Sequence, residues 1–516
     1  MSAGRRSRGL LVAALGWLTA CGAPERPAPA AGEASRTRRA AEGLFSEPAE
    51  YAPRPPSAEA GHRYFAELGV GDPYGAGVPY PVYRALMAQY PERLGADFGA
   101  LSERFGFIAG DDPGALPVGF HRTRDPNTGV DFLMTNCTIC HAGRVRTAQA
   151  ERVVEGLGNR RVRIHAYALA FARIATDPEL SVSSLGAAAA DEAERLDLAW
   201  PPSHRRVLVE ATIRGLRERF ASRLAPLERL GEGLPGRVAT MEGFMIALDT
   251  FMDADLRLPE VIGWARVPDV AVWQHRDTNS FDGAADGSPV ALVAEADFAF
   301  GVRPRWYEEH RHIATSMFLY LRHFERDLPF PGPIDEALAT EGYEAFEARC
   351  AGCHGHYAAP GESTRPSYRE RIVPVEVVGT DPARLESVTE PFVRAANAAP
   401  ATRGLVHTRR SGGYVPRPLV DVWARGQYGH NGQWPDLAVL ATPPEERPTR
   451  FVVDPAAPLD LERVGQRWRP ADEGPPGPGE YLYDGTRPGY GVQGHPFLGA
   501  APEGERRAIL AYLRTL

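Results

Sequence analysis

Apolar residues recur with helical spacing over several long stretches of this 516-residue chain, and alternate with strand spacing over only two short ones. Repeats of three to four residues predict helices over 81–90 and 93–107, then over 185–200, 204–220 and 238–256, and again over 305–326. Pro201-Pro202 separates two of these helices, and Ile313, Met317, Leu319 and Tyr320 form the apolar side of the 305–326 segment. Alternation over 116–120 and 130–134, with Asp125-Pro126-Asn127-Thr128-Gly129 as the turn, predicts a hairpin that runs into Cys137. Pro329-Phe330-Pro331-Gly332-Pro333 then interrupts the pattern and is the best domain boundary. Beyond it a helix is expected over 334–348, just ahead of Cys350. A last helix is expected over 502–516, where Pro502 suits the first turn and Ile509, Leu510, Leu513 and Leu516 share a face.

The N-terminal stretch follows another logic. Arg5, Arg6 and Arg8 precede an apolar run over 10–18 that is too short to span a bilayer, the layout of an export signal. It ends Leu18-Thr19-Ala20-Cys21, which resembles the lipobox of bacterial lipoproteins. That resemblance implies cleavage before Cys21 and its acylation, and more than one acyl chain anchors stably. The alternative is a plain secretion signal with an incidental Cys. Residues 22–58 are rich in Ala, Pro, Glu and Arg, as in a flexible tether. The expected division is a lipoprotein signal peptide over 1–20, a lipid-anchored flexible linker over 21–58, an N-terminal domain with a helical insertion over 59–332, and a C-terminal domain over 333–516. The expected location is the bacterial cell envelope, lipid-anchored, on the periplasmic side or the outer-membrane surface.

Composition changes this picture at two points. The net charge is −8 with no basic stripe, which excludes nucleic acid as a partner. Lys does not occur, so every cation contact must come from an Arg fork. Of the five cysteines, Cys21 sits in the export signal, and the others form Cys137-Thr138-Ile139-Cys140-His141 and Cys350-Ala351-Gly352-Cys353-His354. Thiols three residues apart can add to the two vinyl groups on one haem edge, which puts the following His under the iron. A single such motif is also compatible with half a zinc site or a thioredoxin-like redox pair. Two of them in an exported chain with no other cysteine in its body point to two covalently bound haem c groups. Cys137, Cys140, Cys350 and Cys353 are then the cofactor-binding residues, with His141 and His354 on the metal. Any contacts to haem propionates fall to arginines. A helix before C-x-x-C-H and another at the far end is the organisation of a small cytochrome c domain. The expected fold class is therefore mainly α, with two cytochrome c-like haem domains, extensive irregular loops and few short strands.

Four stretches extend this to a family resemblance. They are Leu116-Pro117-Val118-Gly119-Phe120 with Asn136 and the first Cys pair; Val267-Pro268-Asp269-Val270-Ala271-Val272-Trp273 with Asn279-Ser280-Phe281-Asp282-Gly283; Tyr414-Val415-Pro416-Arg417-Pro418-Leu419 through Trp423 to Tyr428-Gly429-His430-Asn431-Gly432; and Tyr483-Asp484-Gly485 with Gly494-His495-Pro496-Phe497. They resemble the di-haem rubber oxygenases, a branch of the bacterial di-haem cytochrome c peroxidase superfamily. The resemblance implies that His495 closes the C-terminal haem as a second axial ligand, in place of a loop His. It implies that Trp273 lies beside the N-terminal haem or between the haems, unless it is a plain core residue. It also implies that His430 and Trp434 lie close to the N-terminal haem, although His430 before Asn431-Gly432 also suits a structural turn. Two departures stand out. Gln274-His275-Arg276-Asp277-Thr278 replaces a Lys-rich run, which brings His275 within reach of the distal side of the N-terminal haem, and the chain carries a lipid anchor. No Met follows Met317, so the second half has none to offer as a ligand. Phe120, Phe132, Trp273, Phe281 and Phe298 are candidates to line an apolar cavity. The implied function is electron transfer, as an oxidoreductase whose N-terminal haem reacts with oxygen or peroxide and whose C-terminal haem relays electrons. Trp273, His275 and His430 are its catalytic candidates, and a redox protein or small-molecule oxidant is its partner. The alternative is a non-catalytic electron-transfer lipoprotein with both irons six-coordinate.

Overall fold

Short strands, single turns and irregular segments connect the helices. The computed structural model describes residues 48–71, 76–112, 114–252, 254–286, 306, 309–363, 365–399 and 407–516. The export signal, Cys21 and Phe298 lie outside these.

The expected hairpin is present, shifted toward the C-terminus. Phe120–Arg124 pairs antiparallel with Asp131–Thr135, and Val78–Pro79 adds to the far edge of Asp131–Thr135. Asp131–Thr135 is the central strand, so four of its five residues are buried. Ala142–Arg146 pairs with Glu151–Glu155 directly after the first Cys pair. Later, Arg450–Val453 lies between Trp468–Pro470 and Tyr481–Asp484. Among the described residues fourteen strands form six small sheets. The expectation of a mainly α chain with few strands is therefore corrected: the fold is mixed α/β. Strands of two to five residues are too short for a two-residue period to stand out from helical spacing. Several, such as Glu151–Glu155, hold charged residues and are defined by backbone pairing rather than by an apolar face.

Helix ends follow local chemistry. Asp97 accepts from the Ala100 amide (2.8 Å) at the start of Phe98–Phe105, and Gly106 ends it at φ 70°. The single helix expected over 93–107 is split by Gly95, whose φ of 90° no helix accommodates. Ser181 caps Val182–Arg195 and Asp335 caps Glu336–Arg349 in the same way. Pro202–Phe220, Thr240–Met252 and Arg311–Arg322 complete the long helices. None of the described helices is long and apolar enough to cross a membrane.

The core is shared along the chain. One cluster joins Phe244 to Phe392, Phe451 and Tyr483, and another joins Val154 and Leu157 to Phe346 and Tyr512, so both draw on residues from either side of 329–333. Glu336–Arg349 crosses the terminal helix Glu503–Leu513, with Tyr512 against Tyr343 (5.5 Å between centroids) and Phe346 (5.3 Å). The crossing is close because Gly342 lies against the Ala508 carbonyl, where a Cβ would overlap backbone. Gly342→Val is accordingly expected to lower the unfolding free energy by about 1–3 kcal/mol. Gly504→Ala, whose added Cβ meets nothing, should be neutral or slightly stabilising. Chemical denaturation of the two variants beside the parent checks both.

Candidate functional site

Each Cys pair sits on one helical turn. The amides of His141 and His354 donate to the carbonyls of Cys137 and Cys350, both at 2.9 Å. Before the first turn, Asn136 accepts from the Thr138 amide (3.1 Å) and hydroxyl (2.7 Å), and its own amide group donates to the Ala66 carbonyl (3.0 Å). Gly119, at φ 90°, lets the hairpin backbone lie against Ile139. The four cysteines of these two turns are free thiols. Burial pushes the Cys140 thiol up to about 12 and the Cys350 thiol up to about 11, so neither is poised as a thiolate nucleophile or metal ligand. Among the described residues no group of three His, Cys, Asp or Glu side chains converges as a metal site.

The two histidines are held alike. His141 Nδ1 lies 3.1 Å from the Pro268 carbonyl, and His354 Nδ1 lies 2.9 Å from the Arg417 carbonyl. A carbonyl only accepts, so Nδ1 carries the proton in each ring and Nε2 keeps its lone pair for a ligand. Burial pushes the His141 imidazole down to about 4 and lowers His354 as well, which keeps both neutral. Tyr357 ties the second turn to its anchor: its hydroxyl donates to the His354 carbonyl (2.8 Å) and accepts from the Leu419 amide (2.7 Å).

His495 faces His354, with ring centroids 6.1 Å apart. An imidazole nitrogen binds a first-row metal ion at about 2.0–2.1 Å and lies about 1.1 Å from its ring centroid, so imidazoles on opposite sides of one ion have centroids about 6.3 Å apart. The observed separation is close to that spacing, with the rings tilted by 55°. His495 Nδ1 is buried with no hydrogen-bond partner. Burial pushes this ring down to about 3, with His354 and Arg447 adding to it. Arg447 fixes the backbone here, donating to the carbonyls of Thr442 (2.9 Å), Gly494 (2.5 Å) and His495 (3.2 Å). Trp434 packs on His495 at 5.9 Å and donates to the Val492 carbonyl (2.9 Å).

The first site has different neighbours. His141 makes a ring contact with Phe65 at 6.4 Å, and no histidine among the described residues stands opposite it at an axial spacing. Phe65, Val270, Trp273 and Phe324 form an apolar cluster on which Cys137 packs. Trp273 is therefore beside the first Cys pair. His275 ends the same short helix, Val270–His275, half-buried, and burial followed by Arg322 lowers its pKa. His430 and Trp434, expected together near the N-terminal haem, are separated. The chain reverses where Tyr428 bridges Trp434. Trp434 goes to His495, and His430 packs at a tilt on Tyr414, 4.9 Å between centroids. Burial pushes His430 down to about 3, with help from Arg384 and Arg266.

Buried charge joins the two histidine anchors. Arg326 donates to both oxygens of Asp269 (3.1 and 2.5 Å) and to Asp421 (2.7 Å). Burial pushes Asp269 up, but Arg326 and Arg425 outweigh it and hold this carboxyl below its usual range. Asp269 follows Pro268, and Asp421 lies four residues beyond Arg417. Arg276 pairs with Glu370 at 3.0 Å. Arg160, Arg266 and Arg417, by contrast, have no carboxylate partner among the described residues, although each is at least nine-tenths buried. Arg417 is the extreme case. Its Nε, Nη1 and Nη2 all lack a hydrogen bond, and its guanidinium lies 3.8 Å from the centroid of Phe281. A desolvated cation–π contact is worth about 2 kcal/mol, whereas burying an ion costs several. The motif reading missed these arginines, because only burial distinguishes them from the other Arg residues of a lysine-free chain.

No family model matches the chain. It is 26% identical to the uncharacterised protein y4iJ of Sinorhizobium fredii over 542 aligned positions, which cover 83% of this chain and 85% of that protein.

Proposed function

We propose that this protein is a membrane-tethered di-haem c-type cytochrome, related to the di-haem rubber oxygenase and peroxidase group, that moves electrons in the bacterial cell envelope. Its N-terminal haem is the reactive one, toward oxygen or peroxide, and its C-terminal haem is a relay with two histidine ligands. The observation that carries the reading is the His354–His495 pair, with ring centroids 6.1 Å apart, beside a Cys pair on the same turn as His354. A second Cys-x-x-Cys-His turn with the same Nδ1-to-carbonyl bond supports a second haem. The contrast between His495 at one site and the Phe65–Trp273 cluster at the other supports a division of labour.

When bound, each haem supplies one-electron iron chemistry tuned by its axial ligands. The chain's part is to present Nε2 of His141 and His354 in a fixed tautomer, to hold His495 against Arg447, and to keep water from the first site with Phe65 and Trp273. Cys21, where acylated, tethers the body, and a redox protein or small-molecule oxidant exchanges electrons with it.

Mass spectrometry of protein matured with haem-ligation machinery is expected to show two porphyrins, and one in the Cys350→Ala/Cys353→Ala variant. Fewer than two in the parent would overturn the reading. Electron paramagnetic resonance of the oxidised protein should give one high-spin and one low-spin signal, whereas two low-spin signals would replace the reactive site by a second relay. Arg447→Met should retain both porphyrins and convert part of the low-spin population to high spin, because His495 loses its backbone clamp.

A further inference from the structure

The cations left over between the two histidine anchors have a common position. Arg266 and Arg417 both lie on the ring of Phe281, at 5.4 and 3.8 Å. Arg266 also lines a narrow cleft with Arg160, Val267, Asp269, Arg425 and Gln427. Backbone carbonyls take up part of this charge. Arg266 Nε donates to Gly429 (3.0 Å), Arg160 Nη2 to Arg144 (2.8 Å), and Arg425 Nη2 to Pro418 (2.9 Å) and Val420 (2.7 Å). Asp269, the one carboxylate lining the cleft, is already bound by Arg326, with Arg425 3.7 Å away. None of this reaches Arg417, whose five N–H donors are buried without an acceptor. The aromatic face offsets only part of that cost. A buried guanidinium fork of this kind matches a carboxylate. The Arg417 backbone also carries the carbonyl that orients His354, so the unpaired fork and the histidine belong to one short segment.

We propose that Arg417, backed by Arg266, is the receptor for a propionate carboxylate of the porphyrin held at His354. This rests on the cofactor reading above. It adds a specific role for Arg417: to neutralise the carboxylate at the buried edge of the relay group and so set its potential. The positive charge beside the iron favours the reduced state. The same site would accept a free carboxylate of similar size, and the experiment separates the two sources.

The test uses full-length matured protein, its Arg417→Gln and Arg417→Lys variants, and three readouts: porphyrin count, midpoint potential of the low-spin haem, and carboxylate bands in the reduced-minus-oxidised infrared difference spectrum. Arg417→Gln is expected to keep two porphyrins, to shift the reduction equilibrium about tenfold toward the oxidised form (about 59 mV for one electron) and to move a carboxylate band. Arg417→Lys is expected to restore most of the potential. Added acetate should leave the parent's potential unchanged, whereas an acetate-dependent potential would overturn the propionate assignment in favour of a free anion. If Arg417→Gln matures with one porphyrin, Arg417→Lys decides: two porphyrins at the parental potential support the receptor, and one overturns it. Two porphyrins with unchanged potential and bands in Arg417→Gln would overturn the receptor alone. A parent without porphyrin would overturn the cofactor reading and the receptor with it.

Discussion

Arg326 grips two carboxylates that come from distant parts of the chain, Asp269 and Asp421, with three hydrogen bonds in a largely buried setting. Each carboxylate sits close to a carbonyl that holds a histidine: Asp269 follows Pro268, and Asp421 lies just beyond Arg417. The grip thereby ties together the segments that carry the two histidine anchors. Apolar residues of the same volume would often be as stable, but removing one partner from such a buried group costs about 3–5 kcal/mol. The charged version fixes a geometry, because the guanidinium fork accepts carboxylates only along its own plane. Asp421 adds a further tie, since its amide donates to the Leu516 carbonyl at 2.6 Å and its backbone is left-handed at φ 49°.

Around that grip the two histidine turns are alike at the backbone and unlike in their surroundings. Both expose Nε2 through the same Nδ1 bond. The second turn is flanked by Tyr357 and by the imidazole of His495, on which Trp434 packs, whereas the first is walled by Phe65, Val270, Trp273 and Phe324. In the di-haem reading proposed above, a polar, paired environment and an apolar, unpaired one would give two irons of the same kind different duties.

What the sequence reveals depends on the range of the interaction. The Cys pairs, the hairpin ahead of Cys137 and the capped helix Glu336–Arg349 are legible because each is set within a few residues. The small sheets are not, since Arg237–Val238 against Ala265–Arg266, or Val373–Pro374 against Gly413–Tyr414, exists only through pairing with a remote partner. Within Tyr428-Gly429-His430-Asn431-Gly432 the motif is visible but its direction is not: the bridge from Tyr428 to Trp434 sends neighbouring side chains to different places. Arg417 is visible within the Tyr414–Leu419 motif, but that its guanidinium is buried without an acceptor emerges only from the fold.

His495 occupies the left-handed region at φ 48°, a conformation that His, Asn and Asp enter more readily than other side chains and that costs about 1–3 kcal/mol where it is forced. The backbone thereby restricts which donor atom this position can evolve to present. A thioether donor would raise the potential of an attached haem, but Met would bear the conformational penalty in addition to refitting the pocket. If His495 holds a haem as proposed above, a more oxidising relay would be reached with less resistance by altering the surrounding charges than by exchanging the donor.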